Sequence, residues 1–263
     1  MTMIIKPSSL LTGFTALALL AVTAPAQAFD TFTFTTNSTY KVGQEKNDIL
    51  LNSVVQNGKT ITQFNTVSNA KIVKQNSDTS KTRGLLSTDC GDNISGCTSR
   101  ELPSDVQVAE ALGNLNLNKI IDGEEDLGNG ILDVFFQKPS DSFYFFERGG
   151  IMGSADKAGN SSIKVQGLDA KGNLIGSQFS ISKSMWVDAG YAIDTREIGG
   201  AQKVGSFGLS SKNGAIAGLR VTTDWSGADF KVIAASTKVP EPTTLFGLAA
   251  IGAFTMRRRK SAK

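Results

Sequence analysis

Polar and apolar residues alternate along much of the chain, which is typical of half-buried β-strands. The alternation is clearest from Phe29 to Thr36, where Phe32 and Phe34 share one face and threonines the other. Asn57-Gly58 separates two apolar segments and favours the positive φ angles of a type I′ hairpin turn. This spacing predicts an all-β fold, a single β-sandwich or jelly-roll-like domain. The remaining predicted strands are Ile49–Gln56, Thr60–Val67, Ile131–Gln137, Phe143–Glu147, Ser162–Leu168, Leu174–Ser182, Trp186–Ile193, Val204–Leu209, Gly218–Thr223 and Phe230–Ala235.

One short helix interrupts this pattern at Asp105–Leu112. Ser104 precedes it as an N-cap, and Gln107 completes a Ser-x-x-Gln capping box. Gly113 follows at the position where helices commonly leave in a left-handed conformation. The alternating Leu and Asn residues from 113 to 119 predict another half-buried strand.

The first 28 residues have the order of a secretory signal peptide. Lys6 precedes an apolar stretch from Leu10 to Val22, and Ala26-Gln27-Ala28 is a small-x-small cleavage site. We expect export through the inner membrane by the Sec translocon and cleavage by signal peptidase before Phe29.

The C-terminal end has a different organisation. Pro240-Glu241-Pro242 separates the body from an apolar stretch of 14 residues, 243–256, which spans about 21 Å as a helix. Arg257, Arg258 and Arg259 follow and are expected to stay cytoplasmic by the positive-inside rule. The predicted organisation is therefore a signal peptide at 1–28, an extracytoplasmic body at 29–238 and a sorting or anchor segment at 239–263.

This tail resembles the PEP-CTERM sorting signal, which consists of a Pro-Glu-Pro triplet, a short hydrophobic helix and an Arg-rich end. The resemblance implies recognition by an exosortase, a membrane-embedded transpeptidase-like protease. The protein would then be anchored in the membrane transiently and delivered to the cell surface or the extracellular space. The alternative is an ordinary transmembrane helix that stays as a permanent anchor.

The body is similar to one family of exosortase-dependent bacterial surface proteins. No enzymatic activity is established for that family, so the resemblance implies localisation and a β-rich fold and gives no catalytic residue. It covers most of residues 31–235 and is carried by the segments 32–37, 51–59, 112–122, 145–149 and 185–205.

Charge and composition exclude several functions. The 263 residues contain no histidine, which removes Ser-His-Asp and Cys-His catalysis and the commonest metal ligand. The net charge of +3 comes from the two ends, because residues 29–238 hold 21 basic and 23 acidic residues. We therefore expect no nucleic-acid partner.

Cys90 and Cys97 are the only cysteines and flank a Gly-rich loop. In an oxidising compartment such a pair forms a disulfide. A metal-thiolate site is not expected, because it needs two more soft ligands than the chain offers.

An acidic segment places carboxylates at alternate positions, as a calcium loop does. The candidate ligands are Asp122, Glu124, Asp126 and Asp133. Leu127 stands where such a loop needs glycine, so the alternative is a solvated hairpin loop. Apart from calcium, no cofactor is expected.

Aromatic and acidic side chains suggest a second class of function. Trp186 and Trp225, with Tyr144 and Tyr191, would stack on sugar rings if they were exposed, whereas aromatic residues in β-domains are more often core. This hypothesis makes the body a carbohydrate-binding module for exopolysaccharide. A carboxylate-based glycoside hydrolase is a weaker alternative, with the candidates Asp188, Asp194, Asp224 and Asp229.

Glu147 and Arg148 are expected to form an exposed ion pair before the Gly149-Gly150 turn.

The leading hypothesis is a protein without enzymatic activity, exported and sorted to the cell surface or the extracellular matrix.

Overall fold

The computed structural model describes residues 28–124, 127–151, 161–223 and 227–235. These residues form one helix, α1 (Asp105–Leu112), a 3₁₀ turn at Lys183–Met185, and fifteen strands. The strands are β1 (Phe29–Phe32), β2 (Thr35–Ser38), β3 (Leu51–Gln56), β4 (Lys59–Ile61), β5 (Val67–Lys74), β6 (Leu86–Cys90), β7 (Lys119–Gly123), β8 (Gly130–Ser140), β9 (Ser142–Arg148), β10 (Ile163–Leu168), β11 (Leu174–Ile181), β12 (Val187–Ile193), β13 (Gln202–Ser211), β14 (Ile216–Thr223) and β15 (Asp229–Ala235).

The strands form three antiparallel sheets, which confirms the all-β prediction. The seven-stranded sheet has the order β1-β13-β9-β15-β7-β6, and β12 pairs with β13 beside β1. The five-stranded sheet has the order β11-β10-β14-β8-β5, and the small sheet has the order β2-β3-β4. In the part of the chain that the structure describes, no helix has the length and apolar character needed to cross a membrane.

The seven-stranded sheet has a hydrophobic core on each face. Phe143 and Phe145 of β9 point into the first core, which also contains residues of the five-stranded sheet and α1. Tyr144 and Phe146 point into the second core, together with residues of the small sheet. Both faces of β9 are buried, so its sequence reads as a continuous apolar segment rather than an alternation.

The prediction of α1 is confirmed, with its capping box. The Ser104 hydroxyl accepts the Gln107 N–H, and the Gln107 side chain accepts the Ser104 N–H. The expected left-handed exit at Gly113 is wrong, since its φ is −77°. The Asn114 side chain ends the helix instead by donating to the carbonyls of Glu110 and Ala111.

The Leu-Asn segment that follows α1 is not the predicted strand, because β7 begins only at Lys119. Asn116 and Asn118 of this segment are buried and bind backbone groups. Asn116 accepts the N–H groups of Ile49 and Asn118, and Asn118 donates to the carbonyls of Glu45 and Asn47. The polar positions therefore fix a neighbouring loop rather than face solvent.

The predicted hairpin turn is confirmed, with φ angles of 51° at Asn57 and 74° at Gly58. The single strand predicted over Thr60–Val67 is wrong. β4 ends at Ile61 in the small sheet and β5 begins at Val67 in the five-stranded sheet, so the chain changes sheets inside the predicted segment.

Candidate functional site

Arg148 lies at the end of β9 and is almost completely buried, with 1% of its side chain exposed. Its guanidinium donates to Asp89 at 2.8 Å, to Asp122 at 3.0 Å and to Asp229 at 2.9 and 3.1 Å, and also to the Thr195 hydroxyl. We call these five residues the Arg148 cluster. All five N–H donors of the guanidinium are therefore used.

Neighbouring strands of the seven-stranded sheet bring this cluster together. Asp229 of β15 lies directly opposite Arg148 in the strand register. The adjacent strands β7 and β6 supply Asp122 and Asp89. Residues far apart in sequence thus meet across four adjacent strands.

The electrostatics of the cluster are unbalanced, because three carboxylates surround one guanidinium. Burial acts to lower the pKa of Arg148, but Asp229, Asp122 and Asp89 outweigh it and raise that pKa above its ordinary value. Burial raises the pKa of Asp229 well above its ordinary value, although Arg148 opposes this shift. A proton held on Asp229 lowers the excess negative charge.

The segment from Asp194 to Gly200, here the cover segment, contacts the Arg148 cluster through the Thr195 hydroxyl and the Glu197 N–H. Arg196 donates through its backbone N–H to the Cys90 carbonyl and through its side chain to the Cys97 carbonyl. Cys90 and Cys97 are joined by a disulfide. The disulfide loop and the cover segment therefore hold each other in place.

Glu197 brings another carboxyl to the rim of the cluster. Its backbone N–H points to Asp89 at 3.4 Å. Partial burial, followed by the charges of Asp89, Glu101 and Asp122, raises the pKa of Glu197 to about 7. Its protonation state therefore changes near neutral pH.

The exposed ion pair expected of Glu147 and Arg148 is wrong. Both are buried, and successive residues of a strand point to opposite faces of the sheet. Glu147 lies on the face of the first core, close to Gly150. Burial raises its pKa well above the ordinary value, which favours the neutral acid. The apolar run Phe143–Phe146 ending in two charged residues was the available signal that these charges are buried.

The predicted calcium ligands do not converge. Asp122 binds Arg148, and Glu124 binds Arg83 at 2.8 Å. Asp133 lies in the five-stranded sheet and binds Arg220 through both carboxylate oxygens, at 2.7 and 2.8 Å. Asp126 lies outside the described residues. Across the described ranges no group of three or more acidic or cysteine side chains is arranged to hold a metal, so the calcium hypothesis is not supported.

The aromatic residues considered for sugar stacking are core residues where the structure describes them. Trp186 is 7% exposed, donates its indole N–H to the Ser161 carbonyl at 2.6 Å and packs edge-on against Phe207. Tyr144 and Tyr191 are buried in the second core. The stacking role predicted for Trp186 is therefore wrong, and Trp225 lies outside the described residues.

The candidate glycosidase carboxylates that the structure describes each bind a different partner. Asp229 belongs to the Arg148 cluster, Asp188 pairs with Lys203 at 3.4 Å, and Asp194 accepts the Gly200 N–H. Asp224 lies outside the described residues. Among the three that are described, no two share a partner.

A groove of about 490 Å³ opens between the small sheet and β12. Three of its eleven lining residues are threonines, and we call it the threonine groove. Its lining residues are Thr33, Phe34, Thr35, Thr36, Val55, Asn57, Gly58, Val187, Asp188, Ala189 and Gly190.

Comparison with known families gives a match, and it covers the C-terminal segment. The model of the PEP-CTERM protein-sorting motif matches residues 238–260. This chain carries a PEP-CTERM sorting motif. The PEP-CTERM match contains Pro240, Glu241, Pro242 and the three arginines Arg257, Arg258 and Arg259, all of which lie outside the described residues. The motif indicates exosortase-dependent sorting to the cell surface. No curated protein and no solved structure matches the chain.

Proposed function

We propose that this protein is exported, held briefly in the membrane by its tail, cut by an exosortase-type protease and released to the cell surface or extracellular matrix. The observation that carries the proposal is the PEP-CTERM match at residues 238–260. The signal-peptide pattern at residues 1–28 supports it, because the tail acts only on a chain that has crossed the membrane. The Cys90–Cys97 disulfide fits an oxidising destination.

Replacing Pro240, Glu241 and Pro242 together with alanine tests the sorting step in a host that carries an exosortase. We expect the native chain to reach the surface fraction with a mass that lacks its C-terminal residues. The triple variant should stay in the membrane fraction at the mass of the uncut chain. Pro139→Ala, at an exposed position of β8, is the matched control. Equal mass and equal surface delivery in the triple variant would refute the proposal.

We further propose that residues 29–238 form one domain of the β-sandwich type and perform no catalysis. The absence of histidine supports this, and so does the saturation of Arg148 by its own cluster. Release of reducing ends from a polysaccharide by the purified protein would contradict it.

Carbohydrate binding through the tryptophans has weaker support. Trp186 is buried, which leaves Trp225 as the one candidate of that pair. Glycan-array binding that is lost in Trp225→Ala and kept in Trp186→Phe would restore this route.

A further inference from the structure

The threonine groove is bounded by three segments that come from different parts of the chain. Thr33–Thr36 crosses from the seven-stranded sheet to the small sheet, Asn57-Gly58 forms the adjacent hairpin turn, and Val187–Gly190 is the first half of β12. We propose that this groove binds a neutral, polyhydroxylated ligand, namely a segment of a glycan. The site is independent of the sorting tail.

The polar groups in the groove suit a ligand made of hydroxyls. Sugar hydroxyls donate and accept hydrogen bonds, so a site for them needs both functions. Thr33 and Thr35 are exposed and each offers a hydroxyl that does both. The Asn57 amide also does both, and the Asp188 carboxylate adds an acceptor.

Two apolar side chains in the same groove are exposed to solvent. Val55 is 37% exposed and Val187 is 44% exposed. Patches of this kind pack against the C–H groups on the faces of a sugar ring. The groove thus combines apolar contact with a few oriented polar groups, as small-ligand sites do, and its volume lies in their range.

The charge of the lining selects a neutral ligand. Asp188 is the one charged residue in the lining, and Lys203 approaches its carboxylate at 3.4 Å. Phosphate or sulfate would need basic side chains that the lining lacks. A divalent cation would need several oxygen ligands in place of one carboxylate.

The edges of the groove are poor templates for an extended peptide. The pairing of β12 with β13 shifts register between Asp188 and Ala192, and Gly190 has a φ of +80°. The Gly190 N–H already donates to the Asp188 carboxylate at 2.8 Å. Strand addition needs an unbroken row of backbone groups, which a bulge interrupts.

Contacts within the fold hold the segments that bound the groove. Phe34 anchors the segment Thr33–Thr36 in the second core. The centroid of its ring lies 5.0 Å from that of Tyr144 and 5.6 Å from that of Phe146. Asn57 is held by a tight turn with positive φ at both central residues. A ligand therefore does not have to order these segments, which lowers the cost of binding.

The test uses the exported protein in the form in which the cells that export it produce it. Electrophoresis through gels that contain dextran or hydroxyethyl cellulose, followed by calorimetry with neutral hexasaccharides, gives the affinity. We expect retardation of the native protein by at least one of these neutral glycans. The variants Thr35→Val and Asn57→Gly should each bind about fivefold more weakly, which is the usual effect of one lost hydrogen bond.

Thr60→Val is the matched control, because Thr60 is exposed on β4 of the same small sheet and does not line the groove. Asn57→Gly keeps the hairpin turn, since glycine accepts positive φ, so this variant decides the question if another one melts early. The proposal is overturned if no neutral glycan binds or if the groove variants bind as well as Thr60→Val. It is also overturned if only charged polysaccharides or peptides bind.

Discussion

Arg148 joins strands that are far apart in sequence, and its value to the fold depends on the charges around it. Asp89, Asp122 and Asp229 are all buried, and the guanidinium is the cation that binds all three carboxyl groups. A buried ion pair adds little when compared with a well-packed apolar core, but removing one partner is strongly destabilising. The stability of the fold therefore depends on keeping Arg148 bound to these carboxyl groups.

Arg148→Met should lower the free energy of unfolding by about 3–5 kcal/mol, because a buried cluster of acidic groups loses the cation that binds it. Lys231→Met is the matched control. Lys231 is also fully buried, but it donates only to the Ala111 carbonyl and the Asn114 side chain, and Asn114 donates to the same carbonyl. Urea denaturation should show a change of about 1 kcal/mol or less for Lys231→Met. Equal losses in the two variants would contradict the role given to Arg148.

At the level of elements, local signals predicted structure well and distant contacts could not be predicted. The capping box of α1 and the Asn57-Gly58 turn depend on a few adjacent residues, and both are confirmed. The buried asparagines Asn116 and Asn118 bind a loop about 70 positions away, which no local pattern reveals.

The two sites show the same limit. The Arg148 cluster is missed because its aspartates come from β6, β7 and β15, which are adjacent only in the folded sheet. The threonine groove joins residues 33–36 with residues 187–190, although the alternation that made Thr33 and Thr35 face outward is visible in the sequence. Alternation of polar and apolar residues shows which residues share a face of a strand, but it does not show which strand lies beside it.

The disulfide acts on two elements at once, since the carbonyls of Cys90 and Cys97 both bind Arg196 in the cover segment. Replacing both cysteines with alanine should lower the free energy of unfolding by about 2 kcal/mol, from the closure of a short loop. Amide exchange should become faster at Arg196. The native protein treated with reductant is the control and should behave like the variant. Unchanged exchange at Arg196 would show that the cover segment does not depend on the disulfide.

For the whole molecule, acidic groups with raised pKa values make stability depend on pH. The pKa values of Glu147 and Asp229 are raised well above normal and that of Glu197 is raised to about 7. The folded state therefore binds more protons than the unfolded state above about pH 4, and the stability from these groups falls as pH rises through their folded pKa values. Lys231 opposes this trend, because burial lowers its pKa and its contribution is lost as pH falls.

Glu197→Gln isolates one of these groups, because Glu197 is exposed and glutamine has the same size without the charge. With its raised pKa, the Glu197 carboxyl is protonated in the folded protein at pH 5. At pH 8 it has lost its proton, and its negative charge is repelled by Asp89, Glu101 and Asp122. The variant should therefore melt at nearly the native temperature at pH 5 and at a higher temperature than the native protein at pH 8. Glu110→Gln, at an exposed position of α1, controls for loss of a surface charge and should not produce this difference. Parallel melting curves for native protein and Glu197→Gln from pH 5 to pH 8 would mean that Glu197 does not feel the Arg148 cluster.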